Sequence, residues 1–131
     1  MQKILLLNPP AEKLCLRDYF CSSLSKAGYC WQPIDFLVIS GLLKNHYEIF
    51  VLDCIAEKLN FEKSLKIINS ISPDILIFLS SSLSYKSDFD FVKNINVKKI
   101  FGIGEIFLRN PKEILRKNNF INGIILDFTH S

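Results

Sequence analysis

A chain of 131 residues fits one domain and is long enough to bury roughly two thirds of its unfolded surface. Hydrophobic residues make up 49% of it, with 11 Phe, so a well-filled core is expected. The formal charge of +3 is mild, and Lys63, Lys66, Lys93, Lys98, Lys99, Lys112 and Lys117 are scattered rather than gathered on one surface, which argues against nucleic acid as a partner.

Ile4 to Leu7 is a continuous apolar run ended by Asn8, Pro9 and Pro10. It is too short for the apolar region of a signal peptide, and no later run reaches bilayer length. No membrane is expected, and a cytoplasmic location follows, in which Cys15, Cys21, Cys30 and Cys54 stay free thiols. The same run reads as a first strand, buried on both faces as in a parallel sheet. About 25 residues, 9 to 33, then lead to the first helix, where such a connection typically takes ~2–6. This long loop holds three of the cysteines, Arg17, Asp18, Tyr29 and the single Trp31, and is where specificity is expected.

The first helix is predicted over Ile34 to Leu43, with Pro33 near its first turn and Ile34, Leu37, Val38 and Leu42 on the inward stripe. Tyr47 to Asp53 is the second strand, followed by Cys54 as buried packing. Asn60 caps a helix over Phe61 to Ile71 that turns Phe61, Leu65, Ile68 and Ile71 inward. Asp74 to Leu79 is the third strand, and Tyr85 to Ile95 the next helix, carrying Phe89, Val92 and Ile95. Lys99 to Ile103 is the fourth strand. Asn110-Pro111-Lys112-Glu113 starts a helix with a cap, a first-turn Pro and an acid at the third position. Gly123 to Leu126 is the fifth strand.

Continuous apolar strands alternating with helices predict an α/β fold, a flavodoxin-like (Rossmann-like) parallel five-stranded sheet with helices on both faces, spanning 1–131 as one domain. Ligands of such sheets lie outside the carboxyl ends of the strands, near the reversal in strand order. The residues there are Asn8, Pro9 and Pro10 after the first strand, Ser80, Ser81, Ser82, Leu83 and Ser84 after the third, and Gly102, Ile103, Gly104 and Glu105 around the end of the fourth. Serine hydroxyls and backbone N–H groups at a helix start suit amide or phosphate groups, and glycines let backbone approach a flat ligand. The same residues also read as a helix cap and a turn, so both readings stand.

Other chemistries lack their residues. Cys15, Cys21 and Cys30 are spaced too widely for a zinc ribbon, and no metal site is expected in this chain. His46 precedes the second strand, at the opposite end of the sheet, and His130 lies past the fifth. Asp18, Asp35 and Asp53 show no spacing that marks an acid–base pair, and a lone carboxylate after a strand is more often a cap or turn residue. Asn8, Ser80 and Phe128 stand where a phosphate-accepting receiver needs acids and a Lys, and the Gly-x-Gly-x-x-Gly of a dinucleotide site is missing. There is no catalytic set.

The order Asn8-Pro9-Pro10, Arg17-Asp18, Gly28-Tyr29-Cys30-Trp31-Gln32-Pro33-Ile34-Asp35, Ser40-Gly41 and Pro73-Asp74 resembles the amino-terminal cobalamin-binding domain of cobalamin-dependent radical S-adenosylmethionine enzymes. Asp127-Phe128-Thr129 is similar to the junction where those proteins pass into their catalytic barrel. Ser81-Ser82-Leu83 matches their Ser-x-Leu, beside the cofactor's lower face and nucleotide-tail pocket, and Gly102-Ile103-Gly104 takes the place of their Gly-Gly pair, with Ile103 interrupting it. Their Asp-x-His-x-x-Gly after the first strand is absent, so a histidine ligand to cobalt from this domain is not implied.

The resemblance implies a cobalamin-binding module, not catalytic alone. Its iron–sulfur cluster and S-adenosylmethionine belong to a catalytic domain that this chain lacks, supplied in cis or in trans. Cofactor contacts are expected at Ser81, Ser82, Leu83, Gly102 and Gly104 from the resemblance, and at Asn8, Pro9, Pro10, Ser80 and Glu105 from their place at the strand ends. A cofactor-free structural or interaction domain of the same fold, or a binder of a flavin or another nucleotide, is the alternative.

Overall fold

The computed structural model describes residues 1–12 and 35–126, and by backbone alone 15–17, 22–24 and 34. In chain order the elements are β1 (Lys3–Asn8), β2 (Cys15–Arg17), β3 (Ser22–Leu24), α1 (Ile34–Leu43), β4 (Glu48–Asp53), α2 (Phe61–Ile71), β5 (Ile75–Leu79), α3 (Tyr85–Val92), β6 (Lys99–Ile103), α4 (Ile106–Arg109), α5 (Pro111–Lys117) and β7 (Gly123–Ile124).

Five strands form one parallel sheet in the order β4-β1-β5-β6-β7, the flavodoxin-like arrangement read from the sequence. Ile4 stands between Ile49 of β4 and Ile75 of β5, and the register runs unbroken to Asn8 opposite Asp53. Because side chains alternate across a strand, each strand feeds two cores. Leu5, Leu7, Leu76, Phe78 and Ile100 pack with Ile68 of α2, Phe89 and Val92 of α3 and Phe107 of α4. Ile4, Leu6, Ile77, Leu79 and Ile103 face the other way, onto Phe36 and Ile39 of α1.

The capping signals are realised. Asn60 Oδ1 accepts the Lys63 N–H at 2.8 Å, and α2 closes on Ser72 in the left-handed region with its N–H on the Ile68 carbonyl. Asn110 Oδ1 accepts from the Glu113 N–H, with Pro111 in the first turn of α5. Cys54 is buried, as the sequence implied, and His46 is exposed. No helix among the described residues is long and apolar enough to cross a membrane.

Several sequence expectations need correction. α1 turns Phe36 and Ile39 inward and leaves Leu37, Val38 and Leu42 exposed, the reverse of the predicted stripe. Its apolar residues run around the whole helix, so periodicity carries no phase, and the bulkier Phe36 takes the core. In α2, Phe61 lies at the surface while Ile68 and the small Ser64 are buried. Within residues 9–33, read as loop throughout, β2 and β3 form an antiparallel pair. α3 ends at Val92 rather than Ile95, although Ile95 remains buried, and the last strand is confined to Gly123–Ile124. The short α4, missed in the sequence, follows directly on the turn at Gly104 and Glu105.

Candidate functional site

At the carboxyl edge of the sheet the order of strands sets the order of loops. Cys54 follows β4, Pro9 and Pro10 follow β1, Ser80 to Ser84 follow β5, and Gly104 and Glu105 follow β6. All ten residues picked out in the sequence lie at or next to these strand ends, and the loops are tied to one another.

The end of β1 is joined to the end of β4. Asn8 Nδ2 donates to Asp53 Oδ1 at 2.9 Å, and the same oxygen accepts the N–H groups of Ile55 at 3.2 Å and Ala56 at 3.1 Å. Asp53 thus shapes the turn after its strand, as a lone carboxylate there was expected to do. Beyond this turn opens a cavity of about 580 Å³, lined by Pro10, Ala11 and Glu12 on one side and by Ile55, Leu59 and Phe61 on the other. Of the predicted contact residues, Pro10 alone reaches it.

The serine loop is built as a closed network. Ser80 Oγ donates to Asp88 Oδ2 at 2.8 Å, Ser84 Oγ donates to the same oxygen at 2.6 Å, and the Ser81 and Ser84 hydroxyls lie 2.8 Å apart. Ser80, Ser81 and Asp88 are all fully buried. Asp88 is not among the residues that the sequence singles out. Its place on the inward stripe of α3, with Tyr85, Phe89 and Val92 at helical spacing, is the signal that could have found it. A buried carboxylate in an apolar helix face needs donors, and the serines supply them.

Across the next gap, the Glu105 carboxylate accepts the Ser82 backbone N–H, joining the loops after β5 and β6. Ser80 N–H donates to the Ile103 carbonyl at 3.0 Å, and the Tyr85 N–H to the Ser81 carbonyl at 2.8 Å, so the loop also opens α3. Of the serine-loop residues, Leu83 is the one left exposed, at 57%.

Ser81 and Gly104 do not sit on a solvent-facing rim. Both are buried. A Cβ on Gly104 would lie 2.1 Å from the Ser80 carbonyl oxygen, and one on Gly102 would lie 2.3 Å from the Phe107 ring. The two glycines serve internal packing, while Ser84 at the start of α3 makes no side-chain cap bond and the serine hydroxyls brace the loop onto Asp88 instead.

The motif residues outside the edge have their own partners. Asp74 Oδ2 accepts the Lys3 N–H at 2.8 Å, at the amino end of the sheet, and Ser40 Oγ donates to the Leu37 carbonyl. Arg17-Asp18, Gly28 to Pro33 and Asp127-Phe128-Thr129, on which the resemblance also rests, lie outside the residues whose side chains are described, as do Cys15, Cys21, Cys30 and His130. Among the described residues no group of three His, Cys, Asp or Glu side chains is placed to hold a metal ion.

Tested against a corrinoid, the edge divides in two. The β1–β4 side has a cavity beside Pro10 whose lining mixes apolar Ile55, Leu59 and Phe61, which suit a ring face, with Glu12, Lys58 and Asn60, which suit its peripheral amides. Among the described residues the β5–β6 side offers no buried slot for a nucleotide tail, because the hydroxyls of Ser80 and Ser81 are committed to Asp88 and Ser84 and the two glycines are covered. No family model matches the chain, and no curated protein or solved structure matches it either.

Proposed function

We propose that the chain is a cofactor-holding module that carries a corrinoid across the carboxyl edge of its sheet, without catalysing a reaction by itself. The observation that carries this reading is the cavity of about 580 Å³ where β1 and β4 end, beside Pro10 of the Asn-Pro-Pro turn that opens the motif order. A parallel sheet places ligands at this edge, and apolar clefts with few polar groups are the usual seats of cofactors. Pro10, Ile55, Leu59 and Phe61 supply apolar contact, and the Asn8–Asp53 bond braces the two strand ends beside them. The corrinoid would supply organometallic methyl-group chemistry, and a separate radical S-adenosylmethionine domain would supply the substrate pocket.

A second reading, a cofactor-free interaction domain, is favoured by a specific observation: the hydroxyls and glycines that ought to meet a ligand are consumed internally. One experiment separates the two. The purified chain is mixed with hydroxocobalamin, methylcobalamin or flavin mononucleotide, gel-filtered, and its visible spectrum recorded. Co-elution of a corrinoid band with the protein is the expected result. A folded chain by circular dichroism that retains no corrinoid establishes the interaction domain, and retention of the flavin alone reassigns the site.

A further inference from the structure

We propose that this site recognises a corrinoid by its macrocycle alone and takes no nucleotide tail into the protein, an inference that rests on the corrinoid reading above. A tail that enters an α/β domain needs a slot between a strand and the helix covering it, with a floor free of side chains. Gly102 offers such a floor. It is buried in β6 and, by the alternation along the strand, faces the layer that holds Phe107.

The space over that floor is full. A Cβ on Gly102 would meet Phe107 Cζ at 2.3 Å, Cε1 at 2.7 Å and Cε2 at 2.8 Å, so the tip of the ring points at the glycine. Phe107 is fully buried and held on two sides. Phe78 meets it edge-on with centroids 5.8 Å apart, and Phe89 stacks on it at 5.7 Å with 17° between the planes. Interiors packed in this way do not yield a ring-sized space without dismantling the cluster. The polar half of a tail pocket is closed as well, since Ser80 and Ser81 have no exposed surface and spend their hydroxyls on Asp88 and Ser84. What the described residues of the edge still present, the exposed Leu83 and the cavity beside Pro10 with Glu12, Lys58 and Asn60 in its lining, is left to the ring and its peripheral amides.

The test is equilibrium dialysis of the full chain against hydroxocobalamin and, in parallel, diaquocobinamide, which has the same ring and no nucleotide. The two are expected to bind within about twofold of each other, since a tail left in solvent adds no differential contact. Bound cobalamin should also keep the spectrum of the free cofactor with its own base on cobalt. Cobalamin binding about tenfold tighter than cobinamide, or a base-off spectrum on binding, overturns this inference while leaving the corrinoid reading in place. Retention of neither corrinoid by the folded chain overturns that reading and this inference with it. In Phe107→Ala, if it folds, preference should move toward cobalamin; an unchanged ratio means that the Phe107 ring is not what keeps the tail out.

Discussion

The carbonyl oxygen of Ser80 occupies the place that a side chain on Gly104 would need. A Cβ there would stand 2.1 Å from that oxygen, and Gly104 has φ +133°, a conformation that L side chains rarely adopt. Steric exclusion and backbone strain act together, and the obstructing atom belongs to a backbone held by the Ser80 N–H on Ile103. Gly104→Ala should therefore cost about 2–4 kcal/mol, at the upper end for a point substitution. Urea unfolding followed by circular dichroism measures it, and a loss under about 0.5 kcal/mol would show that the turn relaxes freely.

Ser80 and Asp88 should behave as one unit. Asp88→Ala leaves two hydroxyls without their shared acceptor, and Ser80→Ala removes one donor from a buried carboxylate. A double-mutant cycle in urea should give a coupling energy of about 1–3 kcal/mol, the doubly substituted chain losing less than the sum of the singles. Additive losses would mean that Ser84 alone satisfies the carboxylate.

The rotation of α1 makes a pair of opposite expectations. Phe36→Ala empties a buried position and should cost about 3–5 kcal/mol, whereas Leu37→Gln, at a site 59% exposed, should change stability by no more than about 0.5 kcal/mol. Thermal or urea unfolding of the two variants decides it, and a reversed order would restore the stripe predicted from the sequence.

Glu113 and Lys117 pair at 2.8 Å along α5. The Lys117 hydrogen bond, and then its charge, hold the Glu113 carboxyl below its ordinary range, and the same contacts with Glu113 raise the Lys117 ammonium. A lowered carboxyl stabilises above its unfolded pKa and loses that contribution as pH falls through the folded value. A raised ammonium stabilises below its unfolded pKa and loses its contribution as pH rises through the folded value. The pair's effect should thus be flat between about pH 5 and pH 10 and small, since both side chains are exposed and screened by solvent. The Tm difference between wild type and Glu113→Gln should vanish below about pH 3 and in about 1 M salt. A difference that survives both would not come from the ion pair.

The sheet was legible because strands buried on both faces cannot hide their composition: Leu5 to Leu7 and Leu76 to Leu79 are buried in both periodic phases and read as unbroken apolar runs. The caps were legible because Asn60 and Asn110 act through neighbours three residues away. Positions at the carboxyl edge were legible for the same topological reason. Their employment was not, because it depends on partners distant in sequence, Glu105 for Ser82 and Phe107 for the space above Gly102. A serine-rich turn looks alike whether its hydroxyls face a ligand or Asp88. The α1 stripe failed on a different ground, since a helix apolar all round leaves orientation to packing volume rather than to pattern.

Asn8 belongs to a central strand and Asp53 to the sheet's outermost one, and their side chains clasp at the last rung of the ladder. Peeling of that outer strand is therefore expected to begin at Glu48, the far end, and to reach the clasp last. The wall beside Pro10 is thus fastened by the fold itself.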